Sequence, residues 1–170
     1  MTSGGGFRLP WRRGGPTAAI EHVLPPVHRH IASFRPGPEA VRRAREAVAG
    51  SLPAAGVEPG SVFADAVLLV TSELVTNVLR HAPHSPVMDV GITLAAGQLV
   101  VSVADTEPRL PDLSEEGAGA GLRMVAELAA DYDGDVSAEP AADHDGKVVL
   151  VRFRLPSQGA DTTGSRENAR

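Results

Sequence analysis

The sequence predicts a two-layer α+β sandwich, with helices covering one face of a mixed, mostly antiparallel sheet. Three observations point there. Three segments carry apolar residues at three- and four-residue spacing, the period of a helix buried along one side. Five shorter runs are β-rich and are separated by turn formers. In chain order the segments read strand, helix, helix, two strands, helix, two strands, which suits helices grouped on one side of a single sheet.

Each element has its own signal. Residues 28–34 form the first strand, with Ile31 in its apolar content, and Pro36-Gly37-Pro38 breaks it. Residues 39–52 are helix formers; Ala40, Val41, Ala44, Ala47 and Val48 make the stripe, with arginines opposite. A connection over 53–60 leads to a longer, strongly apolar helix at 61–82, stopped by Pro83. The runs 87–94 and 99–104 flank Ala95-Ala96-Gly97-Gln98, a hairpin turn. Residues 107–119 contain Pro108, Pro111, Gly117 and Gly119 and are a loop. Residues 121–132 set Leu122, Val125, Leu128 and Ala129 on one side of a third helix. The last strands, 135–138 and 148–155, are joined by a polar connection at 143–146.

Composition narrows the function classes. One domain over 26–156 is expected between breaker-rich tails at 1–25 and 157–170 that read as disordered. The chain has no cysteine, which excludes disulfides and thiolate metal sites and fits a reducing cytosol. The N-terminus lacks the apolar core of a signal peptide, and no run approaches the roughly 18 apolar residues of a membrane helix. A cytoplasmic protein without a membrane partner is expected. Net charge is −5 with both signs interspersed, against direct nucleic-acid binding; Arg8, Arg12 and Arg13 read as a solubilising tail. His28 and His30 alternate on one strand, but two imidazoles without a third ligand make a poor metal site, and His144 reads as a surface residue.

Three features carry chemistry. In the second helix Glu73, Asn77 and His81 recur every four residues and share a face, with Arg80 beside them. That stripe is either a solvated helix edge or a working site. In the second case the Asn77 amide oxygen can ligate Mg²⁺, a cation shared with phosphates, while the Glu73 carboxylate orients or deprotonates a nucleophile. Asp105 ends an apolar strand. Such a residue is commonly a turn former, whereas a buried one can accept a hydrogen bond from an exocyclic amine such as adenine's. Gly117-Ala118-Gly119-Ala120-Gly121-Leu122 runs straight into a helix, where backbone N–H groups can approach phosphate oxygens; alone it equally suits a flexible linker. A Pro-rich loop precedes it, against a Rossmann dinucleotide site.

Taken in order, these motifs resemble those of the GHKL ATPase superfamily. Glu73-Leu74-Val75-Thr76-Asn77 with Arg80 and His81 is similar to its N-box, and Asp105 to its adenine-binding Asp. Gly117-x-Gly119-x-Gly121-Leu122 is similar to the glycine box closing the ATP lid, and Gly146-Lys147-Val148-Val149 stands where the last box has Gly and Thr. The match runs over about residues 30–156. The short form with Ser-Glu-Leu-Val-Thr-Asn resembles actinobacterial anti-sigma factor serine kinases. The resemblance implies the Bergerat fold, ATP and Mg²⁺ as cofactors, and phosphorylation of a serine on an anti-anti-sigma (STAS-domain) antagonist. It also implies a sequestered sigma factor and a homodimer. Asn77 would ligate Mg²⁺, Glu73 would be the base, and Asp105 would fix adenine. Gly117, Gly119, Gly121 and Leu122 would hold the phosphates, Arg80 would reach one of them, and His81 would flank the base.

Two departures from the pattern stand out. Asp105-Thr106-Glu107-Pro108 replaces Asp-x-Gly and stiffens the start of the lid. Val148 replaces the last-box Thr and removes a hydroxyl that helps to hold adenine, so weaker ATP binding is expected. A non-catalytic, ATP-tuned binding switch is the competing reading. The catalytic half of a sensor histidine kinase fits less well, because the sequence ahead of the domain is short for a dimerising hairpin.

Overall fold

The computed structural model describes residues 27–142 and 144–156. The readings of the tails at 1–25 and 157–170, the Arg8-Arg12-Arg13 patch among them, lie outside the described residues. The elements are β1 (His28–Phe34), α1 (Ala40–Ser51), a 3-10 turn (Leu52–Ala55), α2 (Val62–His81), β2 (Met88–Ala95), β3 (Gln98–Asp105), α3 (Ala120–Ala130), β4 (Asp135–Pro140) and β5 (Lys147–Arg154). The architecture is the expected α+β one.

The five strands lie in the order β1-β2-β3-β5-β4, and every pairing is antiparallel. The mixed sheet expected from the sequence is corrected on this point. The crossover through α3 does bring β4 back in the direction of β3. The chain then turns, and β5 inserts between the two, so neither has a parallel neighbour. The β2–β3 turn uses Ala96 and Gly97 at φ 50° and 76°. Two successive residues at positive φ match the right-handed strand twist, and the turn sets the register that carries Asp105 to the far end of the sheet.

One face of the sheet packs on the helices. Val90, Ile92, Val101, Val103, Val151 and Phe153 alternate inward against Val67, Val70, Leu74 and Val75 of α2 and Val125 of α3. Phe63, Tyr132 and Phe153 meet edge to face with centroids 4.8, 5.8 and 6.3 Å apart, tying the start of α2 to the end of α3 and to β5. Each large apolar side chain so buried contributes about 1.5–3 kcal/mol. Ile31 is not part of this core: its register partner is Gly91, on the face away from the helices, and it is 46% exposed.

Helix α2 begins where Ser61 Oγ accepts the Ala64 N–H at 3.2 Å, and Asp65 in its first turn faces the positive end of the helix dipole. Arg80 and His81 occupy the last turn, where cations are favoured. This helix is long and apolar enough to cross a membrane by length and composition, yet half of it is buried in the core. Its C-terminal turns run alongside the end of β3, which is where the predicted polar residues gather.

Candidate functional site

A cavity of about 810 Å³ opens between the C-terminal half of α2, the end of β3, the start of β5, the loop after β3 and the start of α3. Its size is in the range of small-molecule and cofactor sites. Asn77, Arg80, His81, Asp105, Gly117, Gly119, Gly121 and Leu122 all line it. Three stretches far apart in sequence are thus brought to one cavity by the α2–β3 packing and the α3 crossover.

Glu73 is placed differently. It is half-buried, does not line the cavity, and sets its carboxylate against Gly121: a methyl at position 121 would lie 2.5 Å from Glu73 Oε2. The carboxylate therefore stands at the N-terminal end of α3, where the unpaired N–H groups of the first turn attract negative charge. Among the described residues the N–H groups of Gly119 and Gly121 have no protein acceptor, whereas that of Gly117 donates to Ser114 Oγ at 3.0 Å.

Asn77 makes no side-chain hydrogen bond within the described residues, and its Nδ2 is the one buried side-chain polar atom among them that lacks a partner. Its Oδ1 keeps solvent contact. Buried polar groups are nearly always bonded, so an uncommitted amide on a cavity wall marks a place for a ligand. That group, an amide oxygen open to water, fits Mg²⁺ held jointly with phosphates.

Asp105 is 3% exposed. Its Oδ1 accepts from the Glu107 N–H at 2.8 Å and from Lys147 Nζ at 2.9 Å, while its Oδ2 has no partner among the described residues and retains solvent contact. One oxygen caps a turn, as the turn-former reading expects, and the other is left open to an incoming donor. The following segment is pinned. Ser85 Oγ donates to the Val87 carbonyl at 2.7 Å, lies 3.0 Å from Thr106 Oγ1 and accepts the Thr106 N–H at 3.1 Å. These contacts tie the residue after Asp105 to the segment ahead of β2. Further along, Asp112 accepts from the Ser114 N–H and hydroxyl at 2.9 and 2.7 Å. Those two donors hold its carboxyl below the usual aspartate range.

The expectation for Val148 is corrected. Strand alternation sends Lys147 and Val149 into the cavity, while Val148, paired with Ala104, falls on the opposite face and does not line it. Lys147, register partner of Asp105, is the residue the sequence reading missed; continuing the inward set Phe153, Val151, Val149 by two more positions would have found it. Arg109 also lines the cavity and had no distinguishing signal in the sequence. Among the described residues no three histidine, aspartate or glutamate side chains gather as a metal site, His28 and His30 included.

Residues 64–159 match the family model described as the histidine kinase-, DNA gyrase B- and HSP90-like ATPases. The chain belongs to this ATPase family. Domains of the family bind ATP, usually with Mg²⁺. The match covers the three site motifs and leaves β1 and α1 ahead of it. Solved structures similar to this ATPase-family chain include the blue-light-activated histidine kinase of Erythrobacter litoralis EL346, at 20% identity and TM-score 0.48 over 72% of this chain and 47% of that one. The separate histidine kinase domain of that protein matches at 22% and TM-score 0.43, over 55% and 45%. The Acinetobacter baumannii histidine kinase AdeS matches at 13% and TM-score 0.46, over 75% and 68%. The chain thus spans less than half the length of either Erythrobacter chain. No curated protein sequence matches it.

Proposed function

We propose that this ATPase-family domain is a Mg·ATP-dependent protein serine kinase that phosphorylates a STAS-domain anti-anti-sigma antagonist and sequesters a sigma factor. The working unit is assigned to residues 26–156, acting in the cytoplasm as a homodimer. The observation that carries the kinase reading is the pairing of an uncommitted Asn77 amide on the cavity wall with a Glu73 carboxylate at the glycine-rich start of α3. The serine specificity and the partners rest on the motif resemblance.

Bound ATP and Mg²⁺ supply the transferable phosphoryl group and the cation that screens its charge. The chain's own residues do the rest. Asn77 Oδ1 would hold the cation, and the N–H groups of Gly119 and Gly121, without an acceptor among the described residues, would hold the phosphates. Arg80 adds positive charge at the rim. Glu73 would be the base for the proton of the seryl hydroxyl. Asp105 Oδ2 would accept from the 6-amino group of adenine.

A second reading has an observation of its own. Glu73 makes no hydrogen bond within the described residues that would aim it at a nucleophile, and it lies off the cavity wall, as in a nucleotide-tuned binding switch without transfer. Calorimetric ATP titration with and without Mg²⁺, followed by transfer of labelled phosphate to a STAS-domain protein, separates the two. Asn77→Ala should abolish Mg-dependent binding. Glu73→Ala should keep ATP binding and stop transfer. Wild-type protein that binds ATP and partner but transfers nothing is the switch, and wild-type protein that binds no ATP ends both readings.

A further inference from the structure

The cavity floor holds an ion pair that phosphoryl transfer does not use. Lys147 Nζ donates to Asp105 Oδ1 at 2.9 Å and to the Glu107 carbonyl at 3.0 Å, and Lys147 is only 7% exposed. An ammonium has three N–H donors and no acceptor. Two are committed; the third has no partner among the described residues, and the side chain lines the cavity. Asp105 Oδ2 is the complement, an acceptor without a partner among the described residues, beside the same space. The β3–β5 register sets the two residues directly opposite each other, so the floor presents one donor and one acceptor side by side.

A buried ion pair is a poor source of stability, because the cost of desolvating both ions offsets their attraction. A valine or threonine would continue the strand here at less cost. The placement makes sense if the third donor has something to bind. We propose that Lys147 is a second base-reading residue, donating to ring nitrogen N1 of adenine while Asp105 Oδ2 accepts from the adjacent 6-amino group. This rests on the ATP reading above and adds to it the atom recognised and the residue that recognises it. The adenine edge shows a donor next to an acceptor, the reverse of what the floor displays. The competing account is structural: Lys147 only neutralises Asp105 and is indifferent to N1.

The test compares ATP with 1-deaza-ATP, in which N1 is replaced by C–H, by calorimetry on the full chain. A hydrogen bond from a charged donor sets the expected loss for wild type at roughly ten- to a hundredfold in Kd. In Lys147→Met the two nucleotides should bind within about twofold of each other, because the donor that distinguishes them is gone. Should that variant fail to fold with Asp105 unpaired, the double variant Asp105→Asn with Lys147→Met, which has a neutral floor, replaces it. The wild-type comparison needs no variant at all. Equal affinity of wild type for the two nucleotides, or unchanged discrimination without Lys147, overturns the inference while ATP binding stands. Wild type that binds neither nucleotide overturns the ATP reading and this inference with it.

Discussion

Removing Asp105 should damage the protein in two separable ways. Asp105→Ala takes away the partner of a lysine whose side chain is 9% exposed, in a pair whose carboxylate is 3% exposed. Breaking a buried pair from one side costs about 3–5 kcal/mol, because the remaining charge has lost both water and its counter-ion. The Glu107 N–H also loses its acceptor, adding about 1 kcal/mol. Against the total of roughly 5–15 kcal/mol typical of a domain, this brings Asp105→Ala close to unfolding, so loss of ATP binding in that variant alone would say little about the base. Adding Lys147→Met removes the stranded charge and should return most of the 3–5 kcal/mol, leaving the double variant within about 1–2 kcal/mol of wild type. Urea denaturation followed by far-UV circular dichroism measures each corner of the cycle, and ATP and GTP titrations follow on the folded variants. The double variant should be stable and bind ATP more weakly than Lys147→Met alone, which assigns the added loss to the Asp105 contact. If Asp105→Ala alone unfolds within about 1 kcal/mol of wild type, the pair is screened by water and the reasoning fails.

Three further outcomes follow from the geometry. Gly121→Ala meets only the flexible end of Glu73, 2.5 Å from Oε2, so the helix should gain about 0.5–1 kcal/mol while the displaced carboxylate lowers phosphate transfer; a melt and a transfer assay on one preparation check both signs. Val148→Thr should leave ATP affinity within about twofold of wild type, since position 148 faces away from the cavity; tighter binding by calorimetry would restore the contact expected from sequence. Because its carboxyl is held below the ordinary value, Asp112 supports the Ser114 turn at every pH above that value and releases it only as pH falls through the lowered one. The Ser114 amide resonance should therefore be constant from neutral pH down to about 5 and move only in stronger acid, and a midpoint near pH 6 would contradict the assignment.

Much of the molecule was legible because its signals are local. The stripe Ala40, Ala44, Val48 places α1, Pro83 ends α2, and Ala96-Gly97 makes the hairpin, each through the conformational preferences of neighbouring residues. The order of elements already implied helices on one side of a sheet. The four-residue spacing of Asn77 and His81 implied a shared face, and both meet the cavity. What local signals could not decide was which residue opposes which across the sheet. Sheet order depends on β5 inserting between β3 and β4, a consequence of packing the α3 crossover, and only that insertion makes every pairing antiparallel. The same register places Lys147, not Val148, opposite Asp105, because a one-residue difference in a strand exchanges the buried and outer faces. Glu73 shares its helix face with Asn77, yet α3 packs Gly121 against it and holds it off the cavity wall. The sequence by itself determined the elements, the α+β class and the residue types of the site, since these rest on periodicity and turn chemistry. Tertiary structure alone decided the register, the Asp105–Lys147 floor and the place of Glu73, because each is a contact between segments that no spacing along the chain encodes.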